Sequence, residues 1–109
     1  MVNPDERELK HPVEIQKQVE QALFCLKDIY FELGLSSRIF NECSVSINRF
    51  YLNNPDSGIN AETLVGCVVY LISTKLNEHL SIATIAEKVG VSTSWLSKKK
   101  KKIESALNR

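Results

Sequence analysis

Two kinds of side chain stand close enough in this sequence to act together: hydroxyls and ammonium groups. Ser92-Thr93-Ser94 and Ser97 lead directly into the run Lys98-Lys-Lys-Lys-Lys102. Hydroxyls bond phosphate oxygens or base edges, and lysines neutralise phosphates. That chemistry is binding rather than bond-making. The groups that catalysis needs are scattered. His11 and His79 belong to no constellation, no glycine-rich loop could cradle a phosphate, and no pair of carboxylates has a recognisable setting. An enzyme is therefore not expected. Cys25, Cys43 and Cys67 are odd in number, far apart and never spaced C-x-x-C. They read as small apolar fillers in a reduced intracellular protein, with no structural zinc and no cofactor.

The elements that must position the hydroxyls and lysines lie just ahead of them. Ser81 is an N-cap for a short helix whose apolar face is Ile82, Ile85, Ala86 and Val89. Gly90 supplies the left-handed residue of a sharp turn, Val91 fills the gap between helices, and Ser92 caps the next helix. A small residue, a four-residue step, a glycine, a hydrophobe and a cap make a helix-turn-helix, here over about 81–107, whose second helix can enter a major groove. That helix runs from about Thr93 to Leu107, with Leu96 and Ile103 inward. Its N-terminus attracts phosphate. Five consecutive lysines wind more than once around a helix, so Lys99 or Lys100 falls on the inward stripe and lays its methylenes along the core rim. The candidate DNA-binding set is Ser92, Thr93, Ser94, Trp95, Ser97, Lys98, Lys101 and Lys102. The bland alternatives are a tight helical corner and a solvated lysine face. Trp95 either wedges against DNA, meets a partner protein, or covers the edge of the core. Serines and lysines read base identity poorly, so weak sequence specificity is expected.

The rest of the chain reads as helices that wrap one apolar segment. From Asn60 to Leu76, Leu64, Val65, Cys67, Val68, Val69, Leu71 and Ile72 point nearly all round a 3.6-residue period behind an Asn60 cap. A helix apolar all round is buried all round. Val68-Val69 argues weakly for a strand instead. Gly66 marks either a close approach or a tolerated glycine. Ahead of it, Ile15, Val19, Ala22, Leu23, Leu26, Ile29, Tyr30 and Leu33 predict a helix over 13–33, stopped by Gly34. Ser36 or Ser37 caps a second amphipathic helix that reaches about Leu52. Asn53-Asn-Pro-Asp-Ser-Gly58 is a surface loop. Asn77-Glu78-His79 is a short connection with a solvated histidine.

Residues 1–12 read as a flexible leader and 13–109 as one domain. Pro12 suits the first turn of the helix that follows. The 109 residues carry a net charge of only +1, but unevenly. Residues 1–60 hold six Lys/Arg against nine Asp/Glu, and residues 61–109 eight against four. A basic back half suits a polyanionic partner. Neither a signal peptide nor a membrane span is evident, so no membrane association is expected, and the cytoplasm or a nucleus is the expected location.

With five helices laid out, the chain resembles a single cyclin-like repeat of the transcription factor IIB family, above all the C-terminal repeat of archaeal transcription factor B. The likeness covers about Leu23 to Leu107. It rests on Phe31-Glu-Leu-Gly-Leu-Ser36, on Leu64-Val-Gly-Cys-Val-Val-Tyr-Leu-Ile72, and on Ile85-Ala-Glu-Lys-Val-Gly-Val91 with Leu96 and Lys101-Lys-Ile103. It implies an all-α, five-helix cyclin-like fold around a buried central helix, ending in the helix-turn-helix. It also implies a core domain of a transcription initiation factor on promoter DNA, with the TATA-binding protein and RNA polymerase as partners. Its location would be cytoplasmic in an archaeon or nuclear in a eukaryote. The chain departs from the family in having one repeat and no zinc-ribbon cysteines, as an excised C-terminal repeat would. Ser97 stands where the family often has a base-touching arginine, and lysines replace two aromatic residues of the last helix. Two other readings remain open: a cyclin-box adaptor that binds protein beside the central helix, and a stand-alone helix-turn-helix regulator that dimerises on a two-fold operator.

Overall fold

Each helix starts at a hydroxyl or amide cap, or at a proline. The structure, a computed structural model, describes residues 12–108. The expected leader lies outside the described residues, except for Pro12, the first residue of α1 (Pro12–Leu33). Ala22, Leu26 and Ile29 are buried on α1 at steps of four and three. Gly34 follows with φ +62°, and the Leu35 N–H reaches back to the Tyr30 carbonyl at 3.1 Å. This 6→1 bond closes the helix end as a left-handed C′ residue allows.

Ser36, not Ser37, caps α2 (Ser37–Asn53), accepting the Ile39 N–H at 3.2 Å. Its hydroxyl also donates to the Glu78 carboxylate at 3.0 Å, which ties this turn to a connection 42 residues away. Ile39, Cys43, Ile47 and Phe50 form the inward stripe of α2. The helix ends one residue beyond the expected Leu52. The Asn54 N–H and its side-chain amide both return to the Phe50 carbonyl, at 2.8 and 3.0 Å.

Asn60 caps α3 (Ala61–Lys75) through the Thr63 N–H at 2.8 Å. Every residue from Thr63 to Val69 is buried, and α3 packs against each of the other four helices. Val68 and Val69 are therefore helical. A β-branched residue costs a helix a few tenths of a kcal/mol, whereas burying a valine side chain stabilises by ~1.5 kcal/mol or more. After α3, Asn77 takes φ +59°, and the Glu78 N–H bonds the Ser73 carbonyl at 2.8 Å. Asparagine is the non-glycine residue that best tolerates this region.

Ser81 caps α4 (Ile82–Val89), and Ser92 caps α5 (Thr93–Leu107). Between them Gly90 has φ +80°, and the N–H groups of Gly90 and Val91 both bond the Ala86 carbonyl. Leu96 and Ile103 carry the corner into the core, both fully buried. At the far end of α5, Arg49 of α2 donates to the Leu107 carbonyl at 3.2 Å, placing a cation on a helix C-terminus. The fold is all-α, with five helices and no strand among the described residues. No described helix is long and apolar enough to cross a membrane.

Candidate nucleic-acid interface

The corner of α4, Gly90 and α5 holds α5 by its inner face and leaves the opposite face open. Leu96 and Ile103 anchor the inner face. Ser94, Ser97, Lys98 and Lys101 follow each other at i, i+3, i+4 and i+7, so they share one ridge of the helix. All four are exposed, as are Ser92, Thr93 and Lys102. Among the described residues, none of the five lysines of α5 lies within salt-bridge distance of a carboxylate; the ion pair present is Lys88–Glu32, at 3.7 Å. The ridge thus offers hydroxyls near the helix N-terminus and ammonium groups one turn further on.

The structure divides the labour among the eight candidate residues. The Ser92 hydroxyl accepts the Trp95 N–H at 3.1 Å and lies 3.4 Å from the Ser94 hydroxyl, so Ser92 works first as a cap. The Ser94 hydroxyl shares a hydrogen bond with Ser92, while those of Thr93 and Ser97 have no side-chain partner among the described residues. Lys98, Lys101 and Lys102 are exposed, while Lys99 and Lys100 are both half-buried. The Lys100 ammonium sits 5.0 Å from the centre of the Tyr70 ring, an attraction beyond the rim packing expected of its methylenes. Lys99 and Lys98 lie 4.7 and 5.8 Å from the centre of the Trp95 ring.

The Trp95 indole is tied to the fold by a hydrogen bond, and this leaves its three sequence-derived roles open. The indole Nε1–H donates to the buried Thr63 hydroxyl at 3.0 Å, pinning α5 to the first turn of α3. The ring remains 41% exposed. Thr63 is absent from the sequence-based set because nothing in the sequence joins two residues 32 positions apart. A small cleft of about 170 Å³ lies beside this bond, lined by the 57–60 loop, Trp95, Lys99 and Lys102. Trp95→Phe should leave the Thr63 hydroxyl buried without a donor, at a cost of about 1–3 kcal/mol. Chemical denaturation reads that loss. If Trp95 is a structural pin, duplex affinity stays within about twofold of wild type.

Of the three cysteines, Cys43 and Cys67 are buried and Cys25 is half-buried. Cys43 is fully buried, and burial, with the Glu42 carboxylate adding to it, pushes its thiol up to about 12 from 9.0. Cys67 is raised to about 11 by burial, against a smaller opposing effect of Lys100, and its Sγ lies 3.6 Å from the Leu96 carbonyl. Cys25 is raised to about 11 by burial and by Glu62 and Asp28. Thiolate is the reactive species, so a disulfide reagent at pH 8 should label the native thiols at least about tenfold more slowly than the denatured chain. The sign for stability follows from the same shifts. These groups stay protonated in the fold at pH values where the unfolded thiols ionise, so their contribution is complete below about pH 9. It declines as pH rises from there towards 11 or 12.

No group of three or more histidine, cysteine or acidic side chains gathers at metal-binding distance among the described residues. His79 is exposed in the connection after α3. Comparison with protein-family models, with curated proteins and with solved structures finds no match for this chain.

Proposed function

We propose that this chain is a duplex-DNA-binding domain that lays the first half of α5 against the major groove, as the helix-turn-helix of a cyclin-like repeat in the transcription factor IIB family would. In that reading the five helices take a cyclin-like arrangement around α3. The domain then belongs to a transcription initiation factor on promoter DNA, beside the TATA-binding protein and RNA polymerase, in an archaeal cytoplasm or a eukaryotic nucleus. The observation that supports it is the open ridge of Ser94, Ser97, Lys98 and Lys101, which rises directly from the Gly90 corner. Lysines hold the backbone and fix register, and short hydroxyls reach base edges or phosphates. Binding is accordingly electrostatic and only weakly selective among sequences.

Filter binding of the whole chain to a mixed-sequence duplex tests this. With two or three phosphates neutralised, affinity should fall roughly 10–40-fold between about 50 and about 200 mM salt. Absence of binding at the lower salt, or binding indifferent to salt, overturns the proposal.

A further inference from the structure

A second surface, away from α5, has the opposite charge. Between α1, the start of α3 and the end of α4 runs an open groove of about 740 Å³. Ile29, Ile59 and Val89 lie along it, and Phe24 stands on its wall with 70% of its surface in water. Glu20, Asp28, Glu32 and Glu62 also line it, against one cation, Lys88, which Glu32 already holds at 3.7 Å. On α1 the pattern is regular. Glu20, Phe24 and Asp28 follow at steps of four, so they form one outward stripe. Phe31, 69% exposed, continues it one turn on. Phe31 meets the edge of the Tyr30 ring, with centroids 5.2 Å apart, whereas Phe24 stands between Glu20 and Asp28 with no ring contact among the described residues. A large aromatic side chain held in water between carboxylates is exposed apolar surface of the kind a partner covers.

The field of these acids is felt inside the groove. Glu62 and Asp28 add to the burial that raises the Cys25 thiol, and Glu62 does the same for Tyr51; both residues line the groove. Gln18, on the same wall, has a buried Oε1 with no hydrogen-bond partner among the described residues, an acceptor suited to an N–H donor. No residue of α5 lines the groove, and α1 and α5 do not pack together. An occupant must therefore bring apolar side chains for Phe24 and the floor, and ammonium or guanidinium groups for the rim.

We infer that this groove is a docking site for a basic amphipathic helix of a partner protein, which sets apolar residues on Phe24 and half-buried Ile59 and its cations on Glu20, Asp28 and Glu62. A helix that lies in such a groove carries its anchors at i, i+3, i+4 and i+7 of its own sequence. The surface does not depend on the DNA-binding reading. It gives the chain two poles, a basic ridge on α5 and an acidic groove on α1.

The test uses the full chain and two fluorescein-labelled amphipathic peptides of about four helical turns, one of Leu and Lys, the other of Leu and Glu. Fluorescence anisotropy should show the Leu/Lys peptide binding at least ~10-fold more tightly than the Leu/Glu peptide. Phe24→Ala, and separately Glu20→Gln with Asp28→Asn, should each weaken it by about fivefold or more. All three positions are exposed, so these variants keep the native circular dichroism and melting behaviour. Lys98→Ala with Lys101→Ala should bind the peptide as wild type does, so a failure of duplex binding leaves this measurement intact. Equal binding of both peptides, no binding of either, or unchanged binding in the Phe24 and amide variants overturns the proposal. So does a self-associated species in sedimentation that Phe24→Ala dissolves, since a second copy would then be the occupant.

Discussion

Replacing Lys98 and Lys101 together by alanine should weaken duplex binding by about 10–100-fold at low salt and flatten the dependence of log affinity on log salt by nearly two. The two side chains stand one turn apart on the open ridge of α5, exposed and paired with no carboxylate among the described residues. Each is free to displace a counterion from a phosphate, and each loses that capacity as alanine. Their removal hardly touches the fold. The Lys98 ammonium is 5.8 Å from the Trp95 ring centre, an exposed contact of small worth, and alanine is a better helix former than lysine. Stability should change by no more than about 0.5 kcal/mol. The pairing of a large binding effect with a negligible stability effect is the useful part. A lysine face that serves only solubility predicts no change in either quantity. Filter binding at several salt concentrations, with urea melts of the same samples, separates the two cases.

Gly66→Val should destabilise the domain by about 3 kcal/mol, read as a fall of more than ~10 °C in the melting midpoint. A Cβ on Gly66 would meet Leu96 Cδ2 at 3.0 Å, Leu96 Cδ1 at 3.1 Å and Val89 Cγ2 at 3.2 Å. Leu96 is fully buried and Val89 nearly so, so neither can swing aside at low cost. Alanine sets two effects against each other. It gains up to ~1 kcal/mol of helix propensity over glycine, against an overpacking cost of ~1–3 kcal/mol. Gly66→Ala should therefore be mildly destabilising, and valine, with two more carbons aimed at the same contacts, clearly so. Because Val89 and Leu96 flank the Gly90 turn, the valine variant should also weaken duplex binding through displacement of α5. A valine variant as stable as wild type would mean that α4 and α5 can retreat from α3. In contrast, Asn77→Gly removes a side chain from a left-handed position and should stabilise by a few tenths of a kcal/mol.

The helices and the outward face of α5 could be read from the chain because their causes are local. Spacing of apolar residues locates α1, α2 and α5, and Ser81, Ser92, Asn60 and Gly90 act on neighbours only two to four positions away. The same holds for the ridge. Once α5 is a helix with Leu96 and Ile103 inward, Ser94, Ser97, Lys98 and Lys101 must face out together. Local reasoning falls short where a side chain has two compatible fates. Trp95 reads from the chain only as an exposed aromatic residue, and its bond to the Thr63 hydroxyl at 3.0 Å is a contact that local spacing does not contain. Gly66 has two such fates, and the approach of Leu96 selects the crowded one. Ser36 and Ser37 are equivalent caps on paper, and the structure uses Ser36, which also meets Glu78.

What the chain alone determined, then, is its helical periodicity, its caps and breakers, and a basic tail on an outward helix face. These depend on backbone geometry over a few residues. Tertiary structure alone decided which helices touch α3, that Lys100 lies against Tyr70, and that Glu62 of α3 joins Glu20, Asp28 and Glu32 of α1 around exposed Phe24. Those meetings bring together residues some 30 to 40 positions apart, and their positions follow from how whole helices pack, which no window of sequence contains.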